Sequence, residues 1–111
     1  FVADCGPMRL IGLDTLLPGK SAGALCATRL SFLDRALTEA EGKPVAIFMH
    51  HPPFDCGIRH MDAIRLLDGA QEFAAIVARH PNIERILCGH HHRPIVTRFS
   101  GTIAQIAPSV T

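Results

Sequence analysis

The chain has 111 residues, of which 48% are hydrophobic and only 19% charged, and its formal net charge is +1 at pH 7. This length suits a single domain, and the charged share is low beside the quarter or so that is usual in soluble domains. The lysines and arginines are scattered rather than clustered, which argues against a nucleic-acid polymer as partner. With no apolar run near the ~20 residues that span a membrane, we expect no membrane partner. The four cysteines form no C-x-x-C pair, which favours reduced thiols in a cytoplasmic protein, and Cys88 is expected to be a buried strand residue.

Strands and helices alternate along the sequence. The predicted elements, in chain order, are strand 8–14, helix 28–40, strand 45–49, helices 61–67 and 70–79, strand 83–88, and a hairpin from 94–99 to 102–107. Ser100 and Gly101 form the turn of this hairpin. The alternation predicts an α/β fold with a mixed sheet, flanking helices and a C-terminal hairpin.

Histidines directly follow two of the predicted strands. His50 and His51 come after strand 45–49, and a run of three histidines, 90–92, comes after strand 83–88 and Gly89. In open α/β sheets the carboxyl ends of the strands face the crevice in which ligands bind. We therefore expect these two strand ends to meet and to hold metal.

Alternation along an extended segment suggests which histidines would act together. His90 and His92 would point to the same side and His91 away from it, and neutral imidazoles suit zinc, iron and manganese. A third ligand could come from His50 on the neighbouring strand end, where one of His50 and His51 binds metal and the other packs or forms hydrogen bonds. Periodicity does not choose between these two. The alternative is that the run is an exposed polar loop.

Carboxylates suited to a two-metal centre are not evident. Such a centre needs bridging oxygen ligands, and the free candidates share no motif with a histidine; they are Asp14, Asp55, Asp62 and Asp68. Asp14 stands at a predicted strand end, but aspartate readily organises turns. We interpret it as a turn-capping residue that bonds the backbone amide of Thr15 or Leu16.

Two motifs together make a resemblance specific. Met-His-His-Pro-Pro at 49–53, followed by Gly-His-His-His at 89–92, resembles the carboxy-terminal half of a calcineurin-like metallophosphoesterase. Leu-Asp-Thr at 13–15, Arg-Leu-Ser-Phe-Leu at 29–33 and the stretch 52–62 resemble its bacterial cyclic-nucleotide and glycerophosphodiester phosphodiesterase branch. The resemblance extends over nearly the whole chain.

The resemblance implies a set of site residues and cofactors. His50, His90 and His92 would be metal ligands, and His51 and Arg93 would support these ligands or contact substrate. The cofactors would be two divalent or mixed-valence metal ions, drawn from iron, manganese, zinc and cobalt. A hydroxide bridging the two ions would attack a small phosphodiester, either a cyclic nucleotide or a glycerophosphodiester.

The resemblance also implies that part of the domain lies elsewhere. The family's Asp-x-His, Gly-Asp and Gly-Asn-His motifs do not occur in residues 1–111. The chain would then be the C-terminal half of an α/β/β/α sandwich, inactive when isolated. One face of its sheet would be exposed, which predicts a homo-oligomer. The alternative function is a non-catalytic metal-binding or oligomerising module.

Overall fold

The computed structural model describes residues 1–55, 57, 59–89 and 94–107. The elements in this part of the chain are β1 (Val2–Cys5), β2 (Met8–Leu13), β3 (Gly23–Ala24), α1 (Ala27–Glu39), β4 (Val45–Met49), α2 (Arg59–Asp62), β5 (Leu66–Asp68), α3 (Ala70–Ala78), β6 (Ile83–Cys88), β7 (Ile95–Phe99) and β8 (Thr102–Ile106). No helix among them is long and apolar enough to cross a membrane.

Six of the strands form one mixed sheet in the order β1-β2-β4-β6-β8-β7. Strands β2, β4, β6 and β8 run parallel to one another, whereas β1 and β7 are antiparallel to their neighbours at the two edges. The predicted α/β class, with a mixed sheet, flanking helices and a C-terminal hairpin, is confirmed. At the hairpin turn, φ is 47° at Ser100 and 90° at Gly101, the left-handed backbone that a tight two-residue turn requires.

Helices α1 and α3 cover one face of this sheet. They connect β2 to β4 and β4 to β6, and two crossovers of the same hand that advance in one direction along a sheet place their helices on the same side. The core forms there: Leu33 and Leu37 of α1 and Phe73 of α3 are at most 1% exposed, and Ile47 of β4 is fully buried among them.

The opposite face of the sheet carries large apolar side chains that are partly exposed. Because side chains alternate along a strand, Phe48 points away from the helices, and it is 37% exposed. Val96 of β7 and Ile103 of β8 are 61% and 36% exposed. We call the surface around Phe48, Val96 and Ile103 the open face, since no helix of the described chain packs on it.

Sequence reasoning was wrong about the region between β4 and α3. The predicted helix 61–67 is reduced to the short α2, and Leu66–Asp68 is a strand paired with β3. The Leu66 N–H donates to the Pro52 carbonyl at 2.9 Å, and the Gly23 N–H donates to the Arg65 carbonyl at 3.0 Å. These long-range backbone bonds override a local helical preference, which is weak over seven residues. Strands β1 and β3 were also not predicted.

Candidate metal centre

The carboxyl ends of the four parallel strands share one edge of the sheet. A groove of about 620 Å³ opens at this edge, within the size range of small-molecule sites. Asp14, His50 and Gly89 line it just beyond β2, β4 and β6, and Phe48 and Leu87 continue it onto the open face. This is the edge at which ligands bind in open α/β sheets.

His50 lies at the centre of this edge. Its backbone carbonyl accepts a hydrogen bond from the Gly89 N–H at 3.0 Å, so the backbones of β4 and β6 stay paired one residue beyond the strands. A Cβ on residue 89 would lie 3.4 Å from His50 Nδ1, an ordinary van der Waals contact, so residue 89 lies directly beside the imidazole. The expectation that the two histidine-bearing strands end side by side is confirmed.

His51 has a different environment from its neighbour. It is 2% exposed, with Nδ1 2.7 Å from Thr15 Oγ1 and Nε2 2.8 Å from the Ser21 carbonyl oxygen. Because a carbonyl oxygen can only accept, Nε2 carries the proton, and Nδ1 accepts from the Thr15 hydroxyl. Both ring nitrogens thus bind protein groups. Of the pair, His50 is the histidine that lines the groove and is exposed.

Three of the four candidate carboxylates have structural partners. Asp14 Oδ1 accepts the Leu16 N–H at 2.9 Å, which confirms the turn-capping interpretation, and Oδ2 lies 3.2 Å from Arg29. Asp55 pairs with Arg65 at 2.8 Å. Asp62 accepts the Gly57 N–H at 3.2 Å. Within the part of the chain described, no three side chains of histidine, cysteine, aspartate or glutamate gather in a way that could hold a metal ion.

The rest of the predicted site lies outside the described residues: His90, His91, His92 and Arg93. The described part therefore contributes one exposed imidazole, His50, at a glycine-flanked strand end. Imidazole is a suitable ligand for zinc, iron, manganese and cobalt. The donor chemistry fits one ligand of a metal site, with further donors required from other residues.

Cys88 lies next to this edge, at the end of β6. It is 4% exposed, as expected for a buried strand residue. Burial raises the pKa of its thiol to about 12, so the side chain is a neutral thiol near neutral pH.

Sequence reasoning missed Thr15 and Ser21, which form hydrogen bonds with His51. Both lie in the loop between β2 and β3, more than 25 residues before His51 in sequence. The structure shows why residue 23 is glycine, because a Cβ there would stand 2.5 Å from the His51 ring.

Comparison with known proteins gives several relatives, although no family model matches the chain. A probable glycerophosphodiester phosphodiesterase of Arcobacter nitrofigilis is 38% identical over 103 residues, which are 93% of this chain and 38% of that protein. A probable cyclic nucleotide phosphodiesterase of Rhodopseudomonas palustris is 44% identical over 89 residues, 78% of this chain and 32% of that protein.

A solved structure agrees with these relatives. The crystal structure of a dimetal phosphatase from Danio rerio superposes with a TM-score of 0.66 and 26% identity, over 79% of this chain and 28% of that chain. The chain thus spans less than half the length of each of these three proteins.

Proposed function

Because the chain belongs to the calcineurin-like metallophosphoesterase superfamily, we propose that it supplies the histidine side of a dinuclear metal centre that hydrolyses small phosphodiesters. The observation that carries this proposal is the pairing of His50 with Gly89 at adjacent carboxyl ends of β4 and β6, beside the groove. The names of its relatives favour a glycerophosphodiester or a cyclic nucleotide as substrate.

In this proposal His50, His90 and His92 bind the metal ions, which are drawn from iron, manganese, zinc and cobalt. When bound, such ions activate water and neutralise charge on the phosphate oxygens. His50 must be neutral to donate its lone pair, so metal binding competes with its protonation. Arg93 follows the ligand run directly, and its guanidinium suits contact with the substrate phosphate.

We further propose that this chain is the C-terminal half of the metallophosphoesterase domain. The carboxylate and asparagine motifs of the family are missing from its 111 residues, and Asp14 is occupied by its turn and by Arg29. The exposed Phe48, Val96 and Ile103 suit a sheet that packs against a second sheet in the complete enzyme. Alone, the chain is inactive and self-associates through this open face.

The complete coding sequence tests the function. We expect Asp-x-His and Gly-Asn-His motifs upstream of Phe1, and hydrolysis of bis(4-nitrophenyl) phosphate by the complete protein when manganese or cobalt is supplied. His50→Ala should lower this activity by at least about 100-fold. His80→Gln is the matched control, because His80 binds Asp34 away from the groove. Absence of the upstream motifs would refute the proposal.

Metal content tests the ligand assignment separately. We expect His90→Ala and His92→Ala to lose bound metal, measured by elemental analysis, whereas His91→Ala retains it. Equal losses in all three variants would contradict the assignment. Metal binding by the complete protein without diesterase activity would instead support the non-catalytic metal-binding module.

A further inference from the structure

We infer that His51 is a positioning residue, which fastens the loop 15–23 to the end of β4 and thereby sets the orientation of the His50 ring. This inference rests on the proposed function, since it concerns how a metal ligand is held. The two adjacent histidines then have different roles: His50 faces the groove, and His51 binds the loop 15–23 behind it.

The contacts of His51 show how the loop is fastened. Its Nδ1 and Nε2 bond to Thr15 Oγ1 and to the Ser21 carbonyl, at 2.7 and 2.8 Å, so one ring joins two points of the loop to β4. Thr15 is 1% exposed and His51 is 2% exposed. A buried polar group that loses its hydrogen-bond partner destabilises the fold, so each group holds the other in place.

The loop is closely packed against the His51 ring. A Cβ on residue 23 would stand 2.5 Å from His51 Cγ and 2.6 Å from Nδ1, so a larger residue than glycine would displace the ring. The Ala24 N–H donates to the Thr15 carbonyl at 2.9 Å, which closes the loop around the histidine. The ring therefore has little freedom to rotate.

The fixed ring of His51 in turn limits the ring of His50. The two ring centroids are 4.9 Å apart with an interplanar angle of 86°, the edge-to-face arrangement that aromatic rings favour. Because the two rings are in contact, holding the His51 ring in place restricts the orientations that the His50 ring can adopt. The Gly89 N–H holds the backbone of His50 from the next strand.

Cobalt(II) titration of the protein encoded by the complete coding sequence tests this inference. Thr15→Val keeps the side-chain shape but removes the hydroxyl donor, and we expect it to weaken cobalt binding about 10- to 100-fold, the usual effect of removing a group that orients a ligand. Thr15→Ser restores the hydroxyl and should bind cobalt within about twofold of the unaltered protein.

His80→Gln separates positioning from general destabilisation. His80 is also a partly buried histidine, with a side chain 16% exposed and bonded to Asp34 at 3.0 Å. We expect this variant to unfold at lower urea but to bind cobalt unchanged. Unchanged cobalt binding by Thr15→Val would overturn the inference, as would an equal weakening in Thr15→Val and His80→Gln.

A metal-free measurement keeps this test independent of the proposed function. If the unaltered protein binds no cobalt, the proposed function fails. Carbethoxylation by diethyl pyrocarbonate then tests whether the loop 15–23 holds the His51 ring. In the unaltered protein we expect rapid modification of His50 and none of His51, and in Thr15→Val modification of both. Equal rates at His50 and His51 in the unaltered protein would overturn the inference.

Discussion

The two faces of the main sheet are built from the same strands but have different surroundings. On the face under α1 and α3, Ile11, Ile47 and Ile86 are fully buried. On the open face, Phe48 and Val96 are 37% and 61% exposed. The continuous apolar run of β4 is typical of a strand covered on both faces. The strands therefore carry apolar side chains on both faces of the sheet, whereas the helices of the described chain cover only one face.

The largest expected contrast is in thiol reactivity. Cys88 is buried beneath the helices, and burial raises the pKa of its thiol to about 12. Cys26 is exposed, and hydrogen bonds from the backbone N–H groups of Arg29 and Thr28 lower the pKa of its thiol. At pH 8 we expect iodoacetamide to alkylate Cys26 about 10³-fold faster or more, since only the thiolate reacts. Site-resolved mass spectrometry measures both rates, and similar rates would show that the covered face opens readily.

A pair of neighbouring substitutions compares the two faces energetically. Ile47→Ala should lower the free energy of unfolding by about 2–5 kcal/mol, because it leaves a cavity in the core. Phe48→Ala should cost less than ~1 kcal/mol in the chain diluted until it is monomeric, because Phe48 is partly solvated. Urea denaturation measures both. A loss at Phe48 as large as that at Ile47 would show that the open face is covered.

Self-association should depend on the open face. We expect the chain to elute as a species larger than a monomer in size-exclusion chromatography with light scattering, and Phe48→Lys with Val96→Lys to shift it towards monomer by adding charge to the contact. Ser31→Lys, on the exposed surface of α1, adds the same kind of charge elsewhere and should leave the elution unchanged. A monomeric unaltered chain would contradict the proposed association.

The smallest expected change in stability concerns Asp34 of α1, which pairs with Arg79 and His80. A hydrogen bond from His80, with Arg79 adding to it, lowers the pKa of the Asp34 carboxyl. This pair stabilises the fold above the unfolded pKa of about 3.9, and the stabilisation is lost as the pH falls through the lower, folded value. Asp34→Asn should therefore reduce stability at pH 7 by less than ~1 kcal/mol, since Asp34 is solvent-screened, and the difference should vanish near pH 2. Urea titrations at both values check this.

Local patterns predicted the elements that have strong signals of their own. Helix α1 has an apolar stripe at helical spacing, β4 and β6 are uninterrupted apolar runs, and Ser100 and Gly101 form a turn with the required backbone. Strand β5 was mistaken for part of a helix because its pairing with Gly23–Ala24 leaves no trace in its own residues. A strand of three residues is stabilised by its partner rather than by propensity.

The sequence by itself determined that histidines stand at the ends of two apolar strands, and that the chain has apolar residues for more surface than its own helices cover. Only the tertiary structure showed that His50 lines the groove and that His51 is buried behind it. Their immediate sequence is shared, and what separates them is the arrival of Thr15 and Ser21 from a distant loop. Hydrogen bonds at 2.7 and 2.8 Å engage both ring nitrogens of His51, whereas His50 lines the groove. Such a difference depends on contacts between residues far apart in the chain, which no local pattern encodes.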